Sequence, residues 1–246
     1  MLKRAFACGF LLVCDIAIGA PKLNLLVLGD SISQGFNAVQ FGATPEYNWA
    51  TGSKIHSFQQ RLEQLGYDIS ANNVSIPGAT TAWLGLELYL AHSTVPDIAL
   101  IEIGANDLCN PFNQQDTVWN INWAITRLLE KNLKVQIVLA GIPRLSAVYE
   151  SKKGSPNCLQ HWKTNLCPAF LSPDLSEADR NANQLKIDAA NNGLKEIAEH
   201  YPANIRYVKE VGEKPIEPED VSDVDCFHPS PTGQQRLSDA AFAVPN

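Results

Sequence analysis

The chain has 246 residues, of which 45% are hydrophobic and 18% charged, with a formal net charge of −7. That length and apolar share are enough to bury one sizeable core. An acidic chain without a basic stripe excludes nucleic acid as a partner, because phosphate contacts need clustered Lys and Arg, and it disfavours docking onto anionic membranes by charge alone.

The first twenty residues read as an export signal. Lys3 and Arg4 give a positive start, residues 5–13 are uncharged and mostly apolar, and Ala17, Gly19 and Ala20 supply small residues for cleavage. The apolar run is too short to span a bilayer. Residues 21–246 would then form one secreted or periplasmic domain, with a lipid anchor at Cys14 as the alternative. Cys8 and Cys14 leave with the signal, and Cys109, Cys158, Cys167 and Cys226 remain. An even number in an exported chain implies two disulfides, with three connectivities open. Cys158 with Cys167 closes a short loop and is the first expectation, leaving Cys109 with Cys226. There is no Cys-x-x-Cys, and no His stands at ligand spacing from a cysteine pair, so no metal is expected.

Short apolar runs alternate with amphipathic stretches, which predicts a parallel sheet flanked by helices, an α/β three-layer sandwich. Residues 23–28 form the first strand, ending at Gly29. Residues 55–65 have helical spacing at Ile55, Phe58, Leu62 and Leu65. A short second strand is expected over 73–76 and a helix over 80–91. Residues 98–103, apolar apart from Glu102, suit a buried parallel strand. A helix over 117–131 and a strand over 135–140 follow, the latter stopped by Gly141 and Pro143. Residues 144–173 read as irregular and too long to be an idle connection. Ser176 can cap a helix over 176–201 whose middle is weakened by Asn191, Asn192 and Gly193. A last strand spans 205–208 and a terminal helix 231–242. In such sheets, sites lie at the carboxyl ends of the strands.

Four small clusters fall there. Gly29-Asp30-Ser31-Ile32-Ser33 follows the first strand and exposes a serine at the rim, where its hydroxyl needs a base to become a nucleophile. Ser75-Ile76-Pro77-Gly78-Ala79-Thr80 offers a glycine that can present an N–H. Gly104-Ala105-Asn106-Asp107 offers a side-chain amide for a developing oxyanion. Asp225-Cys226-Phe227-His228 puts a carboxylate three residues before a histidine, so that it can hold Nδ1–H and leave Nε2 for Ser31. Each cluster alone is an ordinary turn or helix cap. In this order, each after a strand or in the final loop, they point to acyl transfer.

The four blocks resemble those of the GDSL or SGNH hydrolase superfamily, which carry Ser, Gly, Asn and His, and the likeness runs from about residue 23 to 237. It implies a flavodoxin-like sandwich, Ser31 as nucleophile and first oxyanion donor, Gly78 and Asn106 as the other donors, His228 as general base and Asp225 as its orienting carboxylate. No metal or organic cofactor is implied. The Gly-x-Ser-x-Gly elbow of ordinary α/β-hydrolases is absent, since Ser33 stands where the second glycine would. Tyr47-Asn48-Trp49-Ala50-Thr51-Gly52, Asn106-Asp107-Leu108-Cys109, the loop from Cys158 to Cys167, and Asp225-Cys226-Phe227-His228-Pro229 resemble the phospholipase B-like branch. That implies acyl esters of phospholipids or related lipids as substrates, transient contact with a membrane or micelle, and a monomer. The branch's animal members have further cysteines beyond Cys109 that this chain lacks. A carbohydrate O-acetylesterase uses the same catalytic set, and a ligand-binding module that kept the fold is the non-enzymatic alternative. The substrate walls are expected from residues 36–49 and 144–173, with Trp162 and Phe170 as apolar walls. Tyr47 and Trp49 are expected in the core.

Overall fold

Leu25, Leu26, Val27 and Leu28 are successive residues with no solvent exposure, so the strand they form needs cover on both faces. The computed structural model, which describes residues 19–109 and 114–243, provides it. The export-signal reading, with Cys8 and Cys14, lies outside the described residues apart from its last two positions.

Strands β1 (Lys22–Gly29), β2 (Asp68–Asn73), β3 (Ile98–Glu102), β4 (Gln136–Ala140) and β5 (Ile205–Val208) form one parallel sheet in the order β2-β1-β3-β4-β5. Successive side chains of a strand point to opposite faces. Leu26 and Leu28 therefore pack into a layer with α2 (Leu84–Leu90), α4 (Gln114–Lys131) and α8 (Glu177–His200), while Leu25 and Val27 pack against α1 (Phe58–Gln64), α9 (Glu210–Glu213) and α10 (Pro231–Phe242). The result is the expected three-layer α/β sandwich. Its strand order reverses between β1 and β3, and a crevice opens beyond the carboxyl ends of the strands at such a reversal.

The second strand lies five residues earlier than the hydrophobic pattern implies. In its sequence, Asp-Ile-Ser-Ala-Asn-Asn, three residues are exposed, three are half-buried and none is buried. An edge strand on a parallel sheet gains more from the ladder than from burial, and a hydrophobicity argument does not see it. Residues 73–76 still run beside β1, where the N–H groups of Val74 and Ile76 donate to the carbonyls of Val27 and Gly29. The mid-helix polar residues of α8 also have a reason. Asn191 accepts from the Ile142 N–H at 2.8 Å and donates to its carbonyl at 3.0 Å. A Cβ on Gly193 would lie 2.9 Å from Val118 of α4, so glycine there lets the two helices approach.

Residues 144–173 are not irregular. They hold α5 (Leu145–Lys152), α6 (Pro156–Trp162) and α7 (Pro168–Leu171), and they follow the short α3 (Ala105–Leu108) into the same apolar layer. Among the described residues two disulfides are formed, but with the crossed connectivity, Cys109–Cys167 and Cys158–Cys226. The reason is the helix between the two neighbours. Cys158 and Trp162 are one turn apart on α6 and share a face, and that face meets the C-terminal loop, where the Trp162 indole donates to the Cys226 carbonyl at 3.0 Å. Cys167, at the start of α7, is left beside α3. Trp162 and Phe170 are fully buried, so they are core residues and not substrate walls. Trp49 is buried as expected, whereas Tyr47 is half-buried under the Lys54 ammonium.

The Cys158–Cys226 bridge spans 68 residues, and loop closure of that length stabilises a fold by about 4 kcal/mol in the chain-entropy account. Replacing both cysteines by Ser should lower the unfolding free energy by that order in guanidinium titration. It should also lower activity, because Cys226 stands between Asp225 and His228 with a left-handed backbone (φ 59°).

Candidate active site

Gly29 ends β1 and the chain turns at once, with Ser31 opening a 3-10 turn over Ile32–Gln34. Asp30 shapes that turn through its Oδ1, which accepts the Ile32 N–H at 2.9 Å. Ser31 Oγ lies 2.9 Å from His228 Nε2, and His228 Nδ1 lies 2.5 Å from Asp225 Oδ2. Thus 197 positions of sequence separation close into one hydrogen-bonded chain. The Asp-x-x-His spacing works because Asp225 Oδ1 accepts the N–H groups of Phe227 and His228, both at 3.0 Å, which folds the loop back on its own carboxylate. The rings of Phe36 and Phe227 flank the imidazole at centroid distances of 5.4 and 5.0 Å.

Burial alone would raise Asp225, but its bond to His228, the charge of that residue and the Asn37 amide hold the carboxyl below the ordinary range. Asn37 is a residue that sequence reasoning missed. Its Nδ2 donates to Asp225 Oδ2 at 2.7 Å, its Oδ1 accepts the Gly42 N–H, and its carbonyl accepts the Ser222 hydroxyl. A lone asparagine in a loop carries no pattern that would have marked it.

The other two blocks are tied to the serine turn by hydrogen bonds. Asn106 Nδ2 donates to Asp30 Oδ2 at 3.1 Å and to the Ala79 carbonyl at 3.0 Å. Gln34 Nε2 donates to the Ser75 carbonyl and hydroxyl. Gly78 is exposed with φ +79°, a conformation that L side chains rarely adopt. Asp107 accepts from the Thr81 N–H and hydroxyl and from the Thr117 hydroxyl, which fixes the Asn106 loop against the start of α4. Asp30 and Asp107 lie inside the blocks singled out from the sequence, although no role was assigned to them there.

A pocket of about 400 Å³ adjoins the histidine. Ile32 and His228 stand at one part of its wall, Val148, Val211, Ile216 and Leu237 form an apolar part, and Glu210, Lys214, Asp220 and Arg236 add charge; Ser31, Gly78 and Asn106 lie outside the lining. Of the two segments expected to wall the substrate, residues 36–49 contribute nothing to this pocket and residues 144–173 only Leu145 and Val148, while α9 with the loop after it supplies more. Among the described residues no cluster of His, Cys, Asp and Glu could hold a metal ion, and no helix is long and apolar enough to cross a membrane.

A family model described as the GDSL-like Lipase/Acylhydrolase family matches residues 27–236. An arylesterase of Vibrio mimicus is 28% identical over 167 residues, 65% of this chain and 78% of its own length. An extracellular lipase from Streptomyces rimosus superposes with a TM-score of 0.58 at 19% identity, over 89% of this chain and 97% of that one. The psychrotrophic esterase EstA from Pseudoalteromonas sp. gives 0.55 at 19%, over 89% and 94%. At such identities the two structures speak for the fold alone.

Proposed function

Because the chain belongs to the GDSL-like lipase and acylhydrolase family of carboxylic ester hydrolases, we propose that it cleaves acyl esters of lipids through Ser31, His228 and Asp225. Ser31 Oγ attacks the ester carbonyl carbon while its proton passes to His228 Nε2. The tetrahedral intermediate collapses, and the alcohol leaves with that proton. Water then attacks the acyl-enzyme with His228 again as base, releasing the acid and the serine. The oxyanion is received by the N–H groups of Ser31 and Gly78 and by the Asn106 amide. Both Asn106 hydrogens are already engaged, but an anion is a stronger acceptor than the Ala79 carbonyl and displaces it. Asp30 keeps the amide aimed while this happens.

The observation that carries this reading is the placement of His228, with Nδ1 on Asp225, Nε2 on Ser31 and an apolar pocket alongside. The apolar part of this pocket, entered past His228, supports an alkyl chain over an acetyl group on a sugar. Contact with a lipid aggregate has support on the surface. Trp83, Tyr89 and Leu90 are exposed on and before α2, and Trp119 and Trp123 on α4. The two helices meet where the Trp123 ring lies 3.7 Å from the place of a Gly85 Cβ. Trp and Tyr favour the interface between lipid and water, and Asn120 and Thr81 bind this face to the Asn106 loop. Two disulfides suit an oxidising compartment, as export requires.

Hydrolysis of p-nitrophenyl esters from acetate to palmitate, beside phosphatidylcholine vesicles, tests the substrate class. We expect kcat/KM to rise with chain length and the phospholipid to be deacylated. Turnover confined to the acetate overturns the lipid reading in favour of an O-acetylesterase.

A further inference from the structure

Beneath the serine turn lie three carboxyl groups that the reaction above does not consume. Each holds a different residue of the turn. Glu87 of α2 accepts the Gly29 N–H through Oε2 at 3.0 Å. Asp30 accepts the Ile32 N–H. Glu102, paired in register with Gly29 at the end of β3, accepts the Ser33 hydroxyl through Oε2 at 3.3 Å, and the Trp49 indole donates to the same hydroxyl at 3.2 Å. All three are buried. Among the described residues none of them is in an ion pair, and the second oxygens of Glu87 and Glu102 are buried without a hydrogen-bond partner.

Three uncompensated negative charges do not share one dry site, and the groups with the least support for charge keep their protons. Asp30 has that support from the Ile32 N–H and the Asn106 amide, and the charged groups that reach it from other elements are His228 and Asp107. Glu87 and Glu102 feel Asp30, and Glu102 also feels Glu87. Among the described residues no cation pairs with them. We propose that Glu87 and Glu102 are positioning residues that hold the Gly29–Ser33 turn as neutral carboxylic acids, and that loss of a proton from them sets the alkaline limit of attack by Ser31. The inference rests on the esterase reading for its kinetic consequence. A further charge under the turn, added to that of Asp30, opposes the negative charge that develops on the oxyanion above it. Burial pushes Glu87 up to about 8 and Glu102 well above the ordinary carboxyl range, in line with this arrangement.

The test is the pH dependence of kcat/KM on a soluble ester for the wild type, Glu87→Gln and Glu102→Gln, with thermal melting recorded at each pH. Above a limit near 8 the wild-type rate should fall about tenfold per pH unit. Glutamine keeps the shape and cannot ionise. The ratio of activity at pH 9.5 to that at pH 7.5 should therefore rise about tenfold or more over wild type in at least one variant. Alkaline limbs that superimpose in all three proteins overturn the proposal. A variant that does not fold leaves a direct reading on the wild type: the infrared C=O stretch of a buried protonated carboxyl should be present at pH 7 and vanish along the alkaline limb. Its absence at pH 7 overturns the proposal even if the esterase reading stands, and its presence in a protein without ester turnover upholds the protonation while the esterase reading fails.

Discussion

Replacing Ser31 by Ala is expected to lower kcat on a p-nitrophenyl ester by on the order of 10⁵-fold or more, in line with the loss of a nucleophile from comparable serine hydrolases. The argument depends on what the substitution leaves in place. The backbone N–H of residue 31 survives, as do Gly78 and the Asn106 amide, so substrate binding and part of the oxyanion stabilisation persist. The melting temperature should change little, since Ser31 Oγ bonds only to His228 in the described structure. No neighbour can substitute for it. Ser33, two residues on, has no exposure and is engaged by Glu102 and Trp49. Ser75 is likewise buried and bonded to Asn73. A serine-directed phosphonate should add one adduct to the wild type, on the peptide that contains Ser31, and none to the variant. A variant that keeps more than about one hundredth of wild-type activity, or labelling on another residue, removes Ser31 from the role.

Much of this site could be read from the chain because its chemistry lies in short strings next to strong strands. A run such as Leu25 to Leu28 has one physical reading, a strand covered on both sides, and the residues just past its end must lie at the sheet's rim. The same reasoning located Asn106 after β3. Where burial does not drive structure, it failed. The polar edge strand over Asp68–Asn73 is held by the ladder. The second halves of the disulfides depend on which way α6 faces, and no spacing rule contains that. Trp162 and Phe170 are large and apolar, properties that suit a core as well as the substrate wall expected of them. The support residues were hidden for another reason. Asn37 reaches Asp225 across 188 positions, and Glu87 reaches Gly29 across 58. Pairings of that kind come from topology, which brings β1, β3 and the last loop to one point. Glu102 did leave a trace, as the single charge in an otherwise apolar strand.

The second large effect is expected from Asp225→Asn, and its mechanism follows from counting donors. Asp225 Oδ1 receives two backbone N–H groups, and Oδ2 receives the Asn37 amide and His228 Nδ1. Every partner is a donor, which only a carboxylate can satisfy. An asparagine has one acceptor oxygen, and the two backbone donors, which cannot turn away, claim it. Its NH2 then faces His228 and makes Nδ1 an acceptor. The proton moves to Nε2 and points at Ser31, so the imidazole can no longer take a proton from it. In the serine-protease triad a wrong tautomer of this kind costs about 10⁴-fold in kcat, and a similar loss is expected here with KM little changed. The stability change has a sign that can be checked. The Asp225 carboxyl lies below its ordinary value, so the stability it contributes is present above that value and lost as pH falls through the folded one. The variant lacks this contribution at every pH. The gap in melting temperature between the two proteins should be widest near neutrality and close on acidification below about pH 4. A gap that widened in acid would place the titrating group elsewhere, and a variant with more than about a tenth of wild-type kcat would mean that His228 takes its tautomer from some partner other than Asp225.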